Sequence, residues 1–169
     1  MLAINHLHSC GIVHRDIKPD NFLFKSKGEN SQIKLIDFGL SIKLTQGMKL
    51  HTVLGTPFYV APEVIDRKGY TERCDIWSAG IMMYLCLVAD FPFKADTNQE
   101  LFDKIRKSDY PTNASDNMRK LSHEGKVLLK NLLEKNPYQR WSAREALRSP
   151  WFDSLNEEQN ERGKKIVTS

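Results

Sequence analysis

Between Ile76 and Ala89 the chain runs for fourteen residues without a charged side chain. A membrane-spanning helix needs about 20 predominantly apolar residues, so this run is too short to cross a bilayer. It predicts a helix buried on all sides, because a helix apolar all round belongs at the centre of a core with other elements packed about it. The chain is 169 residues long and 40% hydrophobic, which supplies one such core and suits one domain.

The segments around this run carry the expected partners. Thr97 and Glu100 form a capping pair before Leu101, Phe102 and Ile105, and Ser142 and Glu145 repeat the device before Ala146 and Leu147. Val127, Leu128, Leu132 and Leu133 predict a further helix from about His123 to Leu133, ended by Asn136-Pro137. Phe22-Leu23-Phe24 and Ile33-Lys34-Leu35-Ile36 read as a strand pair joined by a polar turn from Lys25 to Gln32. Ser41 to Val53 has neither period and is expected to be a loop. From about Asp153 the chain turns polar, with Glu157, Glu158 and Glu161 before Arg162, Lys164 and Lys165, as in a solvated tail or exposed helix. No internal repeat is visible, which sets solenoids aside.

Charge and cysteine content exclude several classes. A net charge of +4 is too mild to indicate nucleic acid or a membrane surface as partner. Cys10, Cys74 and Cys86 are odd in number and lack C-x-x-C spacing, so neither a disulfide framework nor a zinc site is implied, and a reducing compartment fits. Met1 to His8 has no basic region followed by an apolar stretch, so no secretory signal is expected. The expected location is cytoplasmic or nuclear, and the sequon Asn113-Ala114-Ser115 is then idle. His6 and His8 lack a third ligand for a metal. Lys104, Arg106 and Lys107 read as a solvated helix face.

The chemistry concentrates near the start. His14-Arg15-Asp16-Ile17-Lys18-Pro19-Asp20-Asn21 gathers a carboxylate, an ammonium and an amide just before a predicted strand. Sixteen residues beyond Asn21, at the end of the next strand, comes Asp37-Phe38-Gly39. Two short strands side by side would bring Asp16, Asn21 and Asp37 to one edge, where carboxylate and amide oxygens suit a hard cation such as Mg²⁺. Phosphoryl transfer needs such a site, since it is catalysed mainly by positioning and charge neutralisation. Either tripeptide alone is a weak match, but Ala61-Pro62-Glu63 follows both in order.

These three linked motifs resemble the catalytic loop, metal-binding turn and activation-segment end of eukaryotic protein kinases, and the resemblance covers residues 1–152. It implies a mainly α fold, the C-terminal lobe of a kinase, with a short β-strand pair beside the catalytic loop. It also implies transfer of the γ-phosphate of ATP, with Mg²⁺, to Ser or Thr hydroxyls of protein substrates. Asp16 would accept or orient the proton of the substrate hydroxyl. Lys18 would offset charge on the transferring phosphoryl group, and Asn21 and Asp37 would hold the metal ions. Lys18 also looks like the serine/threonine class, as does Thr56 in Gly55-Thr56-Pro57-Phe58-Tyr59, which would bond Asp16 and Lys18.

Other matched positions are structural. His14 and Phe38 resemble members of a hydrophobic stack, and Asp75 resembles the aspartate that accepts hydrogen bonds from the catalytic-loop backbone. Glu63 and Arg140 look like a buried ion pair anchoring the activation segment; breaking such a pair costs on the order of 3–5 kcal/mol. Arg15 would face a phosphorylated residue in many relatives, and Thr52 stands at the matching place. Relatives with the same arginine also work without that phosphate, so both readings of Thr52 stand.

The phrases at His8–Asp16, Gly69–Gly80 and Glu145–Phe152 look most like calcium-dependent protein kinases, the group allied to calmodulin-dependent kinases. Their calcium-binding segment is not readable here, because no D-x-[DN]-x-[DN]-G loop occurs. Nor is the family's N-terminal lobe, with its glycine-rich loop, strand lysine and helix glutamate. The expectation is therefore a partial kinase domain over 1–152 and a polar tail over 153–169, inactive alone, with a missing N-terminal lobe or calcium-binding segment as partner. A non-catalytic docking or decoy lobe is the alternative. Any surface that faced a missing lobe should be unusually apolar.

Overall fold

The computed structural model describes residues 1–27 and 31–153. The elements in chain order are α1 (Leu2–Ser9), β1 (Ile12–Val13), β2 (Phe22–Phe24), β3 (Ile33–Leu35), β4 (Ile42–Lys43), α2 (Pro62–Ile65), α3 (Arg73–Val88), α4 (Asn98–Lys107), α5 (Asp116–Lys120), α6 (His123–Leu132) and α7 (Ala143–Ala146). Single 3₁₀ turns at Pro19–Asn21 and Pro57–Tyr59 each open on the proline, whose fixed φ and missing N–H suit a first helical position. The polar tail lies outside the described residues from 154 onward, as do residues 28–30 of the Lys25–Gln32 turn.

The charge-free run forms most of α3, and the two faces of this helix sit in two different apolar clusters. Trp77, Ile81 and Tyr84 join Val60, Val64, Phe93, Leu101, Ile105, Met118 and Leu129 on one side. Ile76 joins Ile4, Ile17, Leu128, Leu132 and Ala146 on the other. Burial on all sides holds only for the N-terminal part, however. Cys86 is exposed and the last turn is half-buried. The helix stops at Ala89, which takes a left-handed φ of 58°. No helix among the described residues is long and apolar enough to cross a membrane.

The predicted caps are in place. The Thr97 hydroxyl accepts the Glu100 N–H at 3.3 Å, and Ser142 and Glu145 form a reciprocal capping box. Ser115 and Ser122 cap α5 and α6 in the same way.

Both sheets are antiparallel pairs. β2 and β3 pair with Phe22 opposite Leu35 and Phe24 opposite Ile33, as the strand pattern predicts. The second pair corrects the reading of 41–53 as a loop throughout: Ile42 and Lys43 pair with Val13 and Ile12. Leu50 also exchanges two backbone bonds of 2.9 Å with Tyr70. Such short strands have no side-chain period, so only the backbone ladder reveals them.

Candidate active site

Asp16 sits in the loop after β1, and three contacts fix that loop. Asp75, in the first turn of α3 and buried, accepts the Arg15 N–H at 2.8 Å and the His14 N–H at 2.9 Å. Its second oxygen also bonds His8 Nε2 at 2.9 Å. Ile17 is fully buried in the Ile76 cluster and pins the loop from below. Together these contacts hold Arg15 at a left-handed φ of 68°, a conformation that costs of order 1 kcal/mol or more for a non-glycine residue.

Around the Asp16 carboxylate the structure brings Lys18, Asn21 and Thr56. Oδ1 accepts from the Thr56 N–H at 3.1 Å and the Thr56 hydroxyl at 2.9 Å. Oδ2 faces Lys18 Nζ at 2.8 Å and accepts from Asn21 Nδ2 at 3.2 Å. Lys18 Nζ also donates to Thr56 Oγ1 at 2.9 Å, which closes a ring of Asp16, Lys18 and Thr56. Partial burial pushes the Asp16 carboxyl upward, but hydrogen bonds from Lys18, Thr56 and Asn21 and the charge of Lys18 outweigh it and hold the group below its usual range. Lys18 is raised, chiefly by its bond to Asp16, against some desolvation and with help from the charges of Asp16, Asp20 and Asp37.

Thr56 reaches Asp16 because Gly55 precedes it. Gly55 has a φ of 105°, and a Cβ there would lie 2.8 Å from the Arg15 carbonyl oxygen. Only glycine satisfies both the backbone conformation and this close approach.

Asn21 and Asp37 are neighbours through the backbone. The Ile36 N–H donates to the Asn21 carbonyl at 2.9 Å, one step beyond the Phe22–Leu35 pair. The Asn21 amide nitrogen is occupied by Asp16, leaving Oδ1 for another partner, while Asp37 is exposed and accepts the Gly39 N–H at 3.1 Å. One amide oxygen and one carboxylate are the sparse, hard donor set that suits Mg²⁺, which usually keeps waters and substrate phosphates as its other ligands. No group of three His, Cys, Asp or Glu side chains arranged for a metal occurs among the described residues, and His8 serves Asp75 instead.

His14 is fully buried. Its Nδ1 accepts the Asp16 N–H at 3.4 Å and its Nε2 donates to the Ile36 carbonyl at 3.2 Å, so the ring links the Asp16 loop to the residue before Asp37. Phe38 meets that ring edge-on at 5.2 Å but is 49% exposed. It therefore caps the stack and does not fill it, since a buried neighbour covers it on one side only.

Glu63 and Arg140 form a bidentate pair at 2.5 and 2.9 Å, both buried. All five guanidinium donors are used, the other three on the carbonyls of Glu134, Arg73 and Lys135. The guanidinium also lies over the Trp77 ring, 5.2 Å from its centroid.

Arg15 Nε donates to the Leu40 carbonyl at 2.5 Å, and its guanidinium lowers the Tyr70 phenol against a larger upward push from burial. Thr52 is exposed, and its carbonyl accepts the Tyr70 hydroxyl at 2.8 Å. Tyr70 thus stands between Arg15 and Thr52. It is missed from sequence because nothing in a Gly-Tyr-Thr phrase marks a hydroxyl that ties two distant segments. On the α4 face read as solvated, Arg106 bonds Asp66 and Asp103, so that face is only partly given to solvent.

The protein kinase domain family matches residues 1–152. In Arabidopsis thaliana the chain is 43% identical over 150 residues to calcium-dependent protein kinase 25, covering 89% of this chain and 28% of the relative. It is 41% identical over 145 residues to calcium-dependent protein kinase 24, covering 86% and 25%. It is 43% identical over 153 residues to CDPK-related kinase 8, covering 90% and 25%. The chain thus spans about a quarter of the length of these curated relatives.

Proposed function

Because this chain belongs to the protein kinase family, we propose that it is the C-terminal catalytic lobe of a serine/threonine kinase, contributing the acceptor-hydroxyl half of the phosphoryl-transfer site. The observation that carries this reading is the hydrogen-bonded ring of Asp16, Lys18 and Thr56, with Asn21 bonded to the same carboxylate.

In this reading Asp16 receives the proton of a Ser or Thr hydroxyl in a protein substrate, and its low proton affinity keeps it ionised at neutral pH. Lys18 holds its charge beside the transferring group, where a fixed cation offsets charge that develops on phosphoryl oxygens. Thr56 fixes the rotamers of both. Asn21 and Asp37 would hold Mg²⁺, which when bound would supply positive charge to offset that of the ATP phosphates. Calcium responsiveness, named in two of the relatives, would have to reside outside this sequence, which contains no EF-hand loop.

The chain alone is proposed to be inactive. Leu23, Phe24 and Ile33 on the β2–β3 hairpin are 55%, 69% and 57% exposed, an apolar edge beside Asn21 and Asp37 that a second lobe carrying the nucleotide contacts would cover. Two assays test the reading. With Mg·ATP and a basic Ser/Thr peptide, the chain joined to a kinase N-terminal lobe should phosphorylate the peptide, and Asp16→Asn in it should lower kcat by about 10²–10⁴-fold. Full activity in that variant would overturn the assignment of Asp16. Separately, Asp16-dependent activity of residues 1–169 alone would overturn the need for a second lobe.

A further inference from the structure

We propose that Tyr138 is an acceptor site for a tyrosine-directed protein kinase, and that its phosphate clamps residues 48–52 to the turn at 136–140 through Lys49. Four of the chain's five tyrosines are unavailable or partly so. Tyr59, Tyr70 and Tyr84 are buried, and Tyr110 is half-buried with its ring against Tyr84. Tyr138 is 82% exposed.

The turn presents this side chain rigidly. The Tyr138 N–H donates to Asn136 Oδ1 at 3.0 Å, and the N–H groups of Gln139 and Arg140 donate to the Asn136 carbonyl at 3.0 and 2.9 Å. Two residues on, Arg140 locks the turn to Glu63 in the core. The acid of the turn, Glu134, is occupied by the Asn136 N–H at 2.9 Å, and Lys135 pairs with Asp109 at 3.3 Å.

A cation already stands at the acceptor oxygen. Lys49 Nζ donates to the Tyr138 hydroxyl at 3.4 Å, and no carboxylate lies within ion-pair distance of it among the described residues. Lys49 adjoins Leu50, which pairs with Tyr70, and lies three residues before Thr52, whose carbonyl takes the Tyr70 hydroxyl. The segment is also held by the Met48 N–H on the Thr45 carbonyl, by the His51 ring on the Arg67 carbonyl and by buried Leu50, and the long contact from Lys49 is what joins it to the turn at 136–140.

In the modification, the phenolic oxygen attacks the γ-phosphorus of a nucleoside triphosphate held by the modifying enzyme. The new O–P bond forms as the bond to the β-phosphate bridge breaks, the diphosphate leaves, and the phenolic proton passes to that enzyme's base. The product carries about −1.5 to −2 charge and three acceptor oxygens, which convert the weak contact with Lys49 into a charge-assisted one.

The test treats the intact protein with Mg·ATP and a purified tyrosine kinase of broad specificity, maps the phosphate by mass spectrometry, and follows amide hydrogen exchange over residues 48–52. Tyr138 should be modified ahead of the other tyrosines, and exchange over 48–52 should slow about tenfold. In Lys49→Ala, Tyr138 should still be modified but the slowing should vanish. An unmodified Tyr138 beside other modified tyrosines overturns the site. Exchange that is unchanged, or slowed equally in Lys49→Ala, overturns the clamp. Neither readout depends on the chain's own activity.

Discussion

Asp75 and Arg15 are joined by a 2.8 Å hydrogen bond from the Arg15 N–H to Asp75 Oδ1, and this bond opposes the strain of Arg15's left-handed φ of 68°. A second bond, to the His14 N–H, makes the carboxylate a two-point clamp on the loop that carries Asp16. Bonds to a charged group contribute about 1.5–3 kcal/mol each, so Asp75→Ala should cost about 3 kcal/mol or more. Asp75→Asn, which keeps one acceptor oxygen, should cost about half of that. Urea unfolding reads both values. An Asp75→Ala variant as stable as the parent would show that the loop holds its shape by other means.

How much of this was legible in the sequence depends on the range of each interaction. The charge-free run marks the body of α3 but not its first turn, because Arg73 and Asp75 are charged and fall outside the run. Asp16, Lys18 and Asn21 lie within one loop and the β2–β3 pairing sets Ile36 against Asn21, so the nearness of Asp37 follows from order and spacing, while the roles given to these residues rest on the family resemblance. Thr56 depends on a positive φ at Gly55, which a glycine suggests but does not aim. β4, the Tyr70 hydroxyl and the Lys49–Tyr138 contact leave no periodic trace, since each is a two-residue pairing or a single side-chain tip.

The Asp16–Lys18 pair sets a pH window with two edges. Asp16 is lowered from 3.8, so the stability it contributes is in full above that value and is lost as pH falls through the depressed one. Lys18 is raised from 10.5, so its share is in full below that value and is lost as pH rises through the raised one. Between these edges the contribution should be flat. Lys18→Met removes the leading downward influence on Asp16, so the carboxyl should titrate at higher pH, which ¹³C NMR of the Asp16 side chain can follow. The same midpoint in parent and variant would contradict the cause assigned here.

The Glu63–Arg140 pair should behave as a buried unit. Glu63→Met strands a guanidinium that is fully buried and should cost about 3–5 kcal/mol. The double variant Glu63→Met, Arg140→Met removes both charges and should cost less than the two single changes summed. Urea midpoints for the four proteins of this cycle give the coupling directly. Simple additivity would mean that the pair is not coupled across the core.

Gly55 connects backbone geometry to the chemistry of the site. At a φ of 105°, an added Cβ would sit 2.8 Å from the Arg15 carbonyl oxygen, closer than carbon and oxygen tolerate. Gly55→Ala must therefore move either the Arg15 loop, which the buried Asp75 holds, or the Thr56 peptide, which part-buried bonds to Asp16 and Lys18 and one from the Tyr59 N–H hold. The weaker side should yield. Thr56 would then retreat from Asp16 and leave Lys18 with one partner fewer. We expect Gly55→Ala to lower kcat of the chain joined to a kinase N-terminal lobe by about tenfold or more, as displaced positioning groups do, while the stability cost stays at about 1–3 kcal/mol. In the same variant the Asp16 carboxyl should titrate at higher pH, because the Thr56 hydroxyl bond that helps to lower it is gone. An unchanged kcat with an unchanged Asp16 titration would show that Thr56 does not need the close approach that Gly55 provides.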